Sequence, residues 1–254
     1  MGSNRLPEKV LLKINNKPML SYVINQTKSS KLIDDVIIAT TTNTIDDVIV
    51  DYCDINKIQF FRGSEQNVLD RYYQCSKKYN LNPIIRITAD CPLIDPNVID
   101  SVISNFENNS FDYVSNNIIK NNNTWHDSEC NFPQGMTVEV SSFNALETAW
   151  KEAKKPSELE HVFPYVQFNP KIFNISNVIF NKNLSHIRCT VDRNEDLLFI
   201  KEIINRIPKN HDIVTMEDII KIINMKPELL KINSDIPFDE GIKRSYQKDK
   251  KLGY

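Results

Sequence analysis

The sequence predicts an α/β domain, a mostly parallel sheet with helices on both faces, and three observations carry that prediction. Strand-length apolar runs alternate with amphipathic helical stretches through roughly the first hundred residues, the pattern of right-handed β-α-β crossovers. The run at residues 84–87 is apolar without a two-residue alternation, as expected of a strand covered on both sides. Every loop with chemical potential follows a strand, which is the geometry of a nucleotide pocket at the carboxyl edge of a sheet.

A chain of 254 residues is long enough for one large α/β domain, and 41% hydrophobic with 25% charged residues is a globular composition. The formal net charge of -2 gives no general pull toward nucleic acid or an anionic membrane. No apolar run reaches membrane-spanning length, and the first residues lack a signal-peptide pattern. A cytoplasmic protein without nucleic-acid or membrane partners is expected. The five cysteines, Cys53, Cys75, Cys91, Cys130 and Cys189, never form a C-x-x-C pair, so neither a disulfide framework nor a zinc site is expected. Cys91 follows Asp90 but has no histidine near it in sequence to activate a thiolate.

The chain opens with a loop in which Arg5 and Lys9 could bracket phosphates, the first as a bidentate fork and the second as a mobile point charge. A solvated basic terminus is the competing reading. No strand precedes this loop. Residues 18–28 read as a helix with Leu20, Val23 and Ile24 on one face, and residues 36–40 as a buried strand ending in a turn at Thr40. Thr44-x-x-Asp47 has the form of a capping box, starting a helix whose face is Ile45, Val48, Ile49 and Tyr52. A strand at residues 58–61 runs into Arg62-Gly63-Ser64, a loop with a cation, a flexible backbone and a hydroxyl. A helix with Val68, Leu69, Tyr72 and Cys75 on its face delivers the chain to the strand at 84–87. Beyond that strand, Asp95 is the N-cap and Pro96 the first residue of the next helix. Asp90 is therefore not the cap. At a strand's carboxyl end it can serve as a hard oxygen ligand for Mg²⁺, or simply satisfy turn amides.

In the second half, residues 113–114 read as a strand, 116–124 as an exposed polar loop or arm, Pro133-Gln134-Gly135 as a turn, and 136–140 as a strand. Residues 143–153 form a helix with Leu146, Ala149 and Trp150 inward. Glu158, Glu160 and His161 follow, two carboxylates and an imidazole that are either functional or structural. Residues 187–191 read as a strand with Asp192 at its end, before Asn194-Glu195-Asp196 opens a helix. This repeats the arrangement at Asp90, so two strand-end aspartates could meet over one pocket and share a metal. Thr215-x-x-Asp218 is a further capping box, and the tail after Pro227 has few core signals. The expected organisation is one domain over 1–254, with 113–140 as a loop or arm insertion and 227–254 as a C-terminal tail.

With Ser3-x-Arg5-Leu6-Pro7-x-Lys9, Arg62-Gly63-Ser64, Asp90 and Asp192 in place, the chain resembles the cytidylyltransferase family. That family includes CMP-Kdo synthetase, acylneuraminate cytidylyltransferase and, most similar here, the spore-coat-polysaccharide type. The phrases G-S-N-R-L-P-E-K-V-L-L, F-R-G-S-E-Q-N-V-L-D-R-Y-Y, R-I-T-A-D-C-P-L-I-D-P, E-H-V-F-P-Y and T-V-D-R-N-E-D-L carry the resemblance over nearly the whole chain. It implies a Rossmann-like nucleotide-diphospho-sugar transferase fold. It also implies transfer of CMP from CTP to a sugar, sugar acid or sugar or polyol phosphate, with Mg²⁺ and release of pyrophosphate, for surface polysaccharide biosynthesis. Carried onto matching positions, Ser3, Arg5 and Lys9 would hold the CTP phosphates, with Arg5 and Lys9 catalytic. Thr40 and Arg62, Gly63 and Ser64 would line the nucleoside. Asp90 and Asp192 would bind Mg²⁺, and Glu160 and His161 would lie toward the acceptor or a homodimer contact.

The sequence also departs from the family pattern. The family has a strand and a further Arg before the phosphate loop, so the first strand is expected to be missing and Met1 to be an internal residue of a longer protein. Glu8 stands where the family commonly has Gly, Thr137 where the subgroup often has Asp, and Leu159 and Phe163 depart from the usual phrase around E-H-V. Two other functions compete. A nucleotide-sugar glycosyltransferase would show a D-x-D motif at a strand end, which Asp90-Cys91-Pro92 is not. A non-catalytic nucleotide-binding homologue would keep the fold without turnover.

Overall fold

The computed structural model describes residues 1–2, 5–117, 131–208, 211–237 and 240–254. A two-residue hairpin, β1 (Lys13–Ile14) with β2 (Lys17–Pro18), turns through Asn15 and Asn16. Both asparagines have positive φ, the tight turn that asparagine tolerates. The chain then enters α1 (Met19–Lys28), which buries Met19, Leu20, Val23 and Ile24. β3 (Ile37–Thr41), α2 (Asp47–Ile55) and β4 (Gln59–Gly63) form the expected β-α-β unit, with the strands parallel and Ile38 opposite Phe60.

The capping box read at Thr44 is not formed. Residues Thr44–Asp46 make a 3₁₀ turn capped by Asn43, whose side chain accepts from the Ile45 N–H. Asp46 is buried instead and accepts from the Thr40 and Thr41 hydroxyls and the Met1 ammonium. With the carboxylate turned inward, Ile45 and Val48 face solvent and the helix buries Ile49 and Cys53. Arg62 and Gly63, expected in a loop, end β4.

After α3 (Val68–Tyr79), capped by Asn67, the strand expected at 84–87 is only three residues long, β5 (Ile84–Arg86). α4 (Pro96–Glu107) starts as expected, with the Asp95 carboxylate accepting from the Asn97 N–H and Pro96 in the first turn. β6 (Tyr113–Ser115) and β7 (Glu139–Ser141) follow, then α5 (Phe143–Glu152), α6 (Pro156–His161) and α7 (Pro164–Gln167). β8 (Ile175–Asn177), α8 (Asn194–Ile204), α9 (Met216–Met225) and α10 (Glu240–Lys251) complete the elements. The second sheet has the order β5-β7-β6-β8. β5, β6 and β8 point one way and β7 runs against its neighbours. The arm expected within 116–124 falls largely on residues 118–130, outside the described ones.

Residues 187–191 are not a strand. They hold one bridge, Gln134 to Arg188, and the Val191 N–H donates to the Asp90 carbonyl at 2.8 Å. The turn at Gly135 explains why the ladder stops there. Its φ is +87°, and a Cβ would stand 2.6 Å from the Thr190 nitrogen, so the two backbones meet edge on. β8 went unread because its three residues are half-buried and show no alternation. The tail is also more ordered than its composition suggests, since Leu229 is buried and α10 packs on α6.

β3–β4 and the β5-β7-β6-β8 sheet are not joined. Between β3 and β5 runs a cavity of about 490 Å³, floored by Leu20, Val23 and Ile103 from α1 and α4 and roofed by Val68 and Tyr72 from α3. Among the described residues no strand pairs with the facing edges of β3 and β5. The slot lies between the edges of β3 and β5 and between two helical layers.

Candidate active site

A second cavity, of about 430 Å³, opens where the segments after β5 and before α8 meet the N-terminal loop. Asp90 reaches it because the chain leaves β5 in a turn, and Asp192 because it precedes α8. The backbone bond from Val191 to Asp90 ties the two segments together. One ammonium sits between them. Lys9 Nζ donates to Asp90 Oδ2 at 2.8 Å, to Asp192 Oδ1 at 3.1 Å and to the Val191 carbonyl at 3.1 Å. Arg5 Nη2 donates to the same Asp192 oxygen at 2.5 Å, and its Nη1 donates to Glu240 of α10 at 3.3 Å.

The electrostatics follow from this geometry. Burial works against the charged form of Asp90, yet the Lys9 ammonium outweighs it and holds the carboxyl at about 2. Asp192 is likewise held below its ordinary value: burial and Asp90 oppose ionisation, but Lys9 and Arg5 prevail. Burial also opposes the charge on Lys9, but the two carboxylates raise its pKa.

Asp192 is itself held in place. Asp196 is fully buried, and its Oδ2 accepts from the backbone N–H groups of Asp192 and Arg193 at 2.9 and 3.0 Å. Arg188 bridges the two acids, donating to Asp196 Oδ1 at 2.8 Å and Asp192 Oδ2 at 3.2 Å. Farther along the cavity, Arg86 pairs with Glu139. Glu139 also accepts from the Tyr113 hydroxyl at 2.8 Å, and that hydroxyl accepts from Gln167 at 2.6 Å. Cys91 also lines the cavity, and burial pushes its thiol up to about 12, away from the thiolate.

Arg5, Lys9, Asp90, Asp192, Glu160 and His161 all line this one cavity. Ser3 lies outside the described residues. Thr40, Arg62, Gly63 and Ser64 do not line it and stand at the end of the β3–β4 pair, across the slot. There the Thr40 hydroxyl donates to Asp46, and Arg62 donates to the Thr41 and Asn43 carbonyls and pairs with Asp47. Arg71 donates to the Ser64 carbonyl at 2.7 Å and leaves no room for a Cβ at Gly63. Sequence reasoning missed Arg86, Glu139, Arg188 and Glu240. Arg86 and Arg188 did carry a signal, a charge at the end or middle of an apolar run, which burial makes costly unless it is paired.

The donor set fits a hard divalent cation. Two carboxylates and a backbone carbonyl converge on the Lys9 ammonium, which marks a point where oxygen ligands already surround positive charge.

Comparison with known proteins gives a consistent picture. The cytidylyltransferase family model matches residues 1–236. An uncharacterised protein of Methanocaldococcus jannaschii is 36% identical over 239 residues, covering 92% of this chain and 91% of its own length. The spore coat polysaccharide biosynthesis protein SpsF of Bacillus subtilis is 27% identical over 235 residues, 90% of this chain and 92% of its own. The structure of a cytidylyltransferase from Leptospira borgpetersenii matches with a TM-score of 0.82 at 28% sequence identity, covering 94% of each chain.

Proposed function

Because this chain belongs to the cytidylyltransferase family, we propose that it transfers CMP from CTP to a sugar, sugar acid or sugar or polyol phosphate, releasing pyrophosphate, in polysaccharide biosynthesis. The observation that carries the reading is the Lys9 ammonium held by both Asp90 and Asp192, with Arg5 on the same carboxylate. A triphosphate needs cations to share its charge, and this site supplies two beside a carboxylate pair. The polysaccharide context rests on the likeness to SpsF.

In this reading the acceptor oxygen attacks the α-phosphorus in line with the departing pyrophosphate. Asp90 and Asp192 would hold Mg²⁺, which would supply shared positive charge for the phosphoryl oxygens. Lys9 leaves the carboxylates for the phosphates, where its single charge can follow the developing oxyanion. Arg5 exchanges Glu240 for a phosphate oxygen and clamps the leaving group. Asp196 and Arg188 keep Asp192 in place during that exchange. Thr40, Arg62, Gly63 and Ser64 receive the nucleoside from the neighbouring strand ends, with Ser3 joining Arg5 and Lys9 on the phosphates. Glu160 and His161 face the acceptor.

The test is incubation with CTP and Mg²⁺ and a panel of sugar acids, sugar phosphates and polyol phosphates, read as pyrophosphate. Release that requires both CTP and one acceptor class is the expected result. Absence of release across the panel, together with absence of CTP binding by calorimetry, refutes the reading.

A further inference from the structure

At the rim of the cavity one carboxylate sits between two guanidiniums. Glu240, the first residue of α10, accepts from Arg193 Nη2 on Oε1 at 2.6 Å and from Arg5 Nη1 on Oε2 at 3.3 Å. Arg193 stands at the N-cap of α8, directly after Asp192, so the turn that presents the aspartate to the cavity also carries a further cation beside Arg5. Pro237, Glu240, Gly241 and Ile242 line the cavity, which makes the beginning of α10 part of its wall. This helix lies beyond residue 236, where the family match ends.

The charges do not balance at this point. One carboxylate faces two guanidiniums, while Arg5 Nη2 is spent on Asp192, an acid that Lys9 and Arg188 also share. A terminal phosphate carries about two negative charges at neutral pH and presents three oxygens, so it answers two guanidinium forks better than a single carboxylate does. All three side chains keep contact with solvent, Arg5 at 23%, Glu240 at 27% and Arg193 at 41%, and ion pairs so placed are weak and exchange readily. The helix stays in place without them. Farther along α10, Ser245 Oγ donates to Glu160 at 2.8 Å and Asp249 accepts from the Ser157 N–H at 2.9 Å, two anchors on α6.

We propose that Arg193 joins Arg5 in binding the terminal phosphate of the nucleoside triphosphate, and that Glu240 is the chain's own anion seated at that subsite, displaced when the phosphate enters. The identity of the anion as a triphosphate rests on the proposed nucleotidyl transfer, whereas the two-guanidinium subsite and its internal occupant do not. The first turn of α10 opens as the phosphate binds and closes again as pyrophosphate leaves. Glu240 competes with substrate and product for the same two forks, so it weakens the binding of both and favours release of pyrophosphate.

Two readouts test the proposal on the full chain, both with inorganic pyrophosphate. The first is calorimetric titration. Glu240→Gln should tighten binding about tenfold by removing the competitor, and Arg193→Gln should weaken it about tenfold by removing a fork. Glu195→Gln is the charge control: Glu195 is exposed and bears on Arg193 through its charge, so its removal should leave the affinity near the parent's. Unchanged or weaker binding in Glu240→Gln overturns the proposal, as does equal tightening in Glu195→Gln, unchanged affinity in Arg193→Gln, or no binding to parent and Glu240→Gln alike. The second is amide exchange. Arg244 and Ser245 carry the first N–H groups that a helix starting at Glu240 protects, and they should exchange faster with pyrophosphate bound while Asp249 does not. Exchange at Arg244 and Ser245 that is unchanged or slower overturns the displacement. If the parent releases no pyrophosphate from CTP with any acceptor, the nucleotidyl-transfer reading fails, and the titration still decides the subsite.

Discussion

Lys9→Met keeps the side-chain length and apolar stem and removes only the charge between Asp90 and Asp192. In the parent, Asp90 is held at about 2 against an ordinary 3.8, an effect worth about 2 kcal/mol of folding stability at neutral pH. Because the folded pKa is depressed, that stability is present above the unfolded value and lost as pH falls through about 2. In the variant burial and the facing Asp192 carboxylate oppose ionisation of Asp90, against only the weaker hydrogen bonds from Thr88 and the backbone. The folded pKa then lies above the unfolded one. The carboxylate pair costs stability at neutral pH and recovers it as pH falls and one proton binds. We therefore expect Lys9→Met to be about 3 kcal/mol less stable at pH 7, roughly 6–12 °C in Tm for a chain of this size. The gap should narrow steadily toward about pH 4. Mg²⁺ should restore part of the loss, about 1.4 kcal/mol at ten times its Kd. Thermal unfolding by circular dichroism from about pH 4 to about pH 8, with and without Mg²⁺, measures all three effects. Parallel pH profiles for the two proteins and no response to Mg²⁺ would refute the shared-cation site.

Asp90→Asn leaves Lys9 paired with Asp192, so Tm should move by only a few degrees while pyrophosphate release falls by about a hundredfold or more. Equal losses of fold and turnover would make Asp90 structural. Gly135→Ala should lower the urea midpoint by the equivalent of about 2 kcal/mol or more, because φ is +87° and the new Cβ would meet the Thr190 nitrogen at 2.6 Å. A midpoint equal to the parent's would show that the two backbones can part at no cost. Glu8 is exposed and left-handed, with φ at 57°, so Glu8→Gly should stabilise by about 1 kcal/mol. An unchanged or lowered Tm would contradict that account of Glu8.

The first β-α-β unit, the Asp95–Pro96 helix start and the Thr215 capping box were legible because each depends on short-range chemistry. The convergence of Asp90 and Asp192 was legible because both were expected to end strands, although only Asp90 follows one. Asp192 gets there by another route, through Asp196 and Arg188 and a bond from Val191. That route joins residues across a hundred positions and leaves no periodic trace. The Thr44 box failed for a similar reason: its acid, Asp47, pairs with Arg62 at the end of β4, and Asn43 takes the cap. α10 was missed because its inward contacts, Ser245 and Asp249, are polar, and a search for apolar periodicity passes over them.

The slot beside β3 has a mechanical consequence. In a continuous sheet, neighbouring strands are locked in register by shared hydrogen bonds, so their carboxyl ends move as one body. Here the β3 end carrying Thr40 and the β5 end leading to Asp90 share no such bonds, and their spacing is set by side-chain packing through α1 and α3. Packed side chains slide where a ladder resists, so the two halves are coupled compliantly and can shear along the slot. Amide exchange should report this directly, with Ile37–Thr41, paired on one edge, exchanging ahead of Glu139–Ser141, which is paired on both. The span between the Arg62 end of β4 and Lys9 then depends on what occupies the slot.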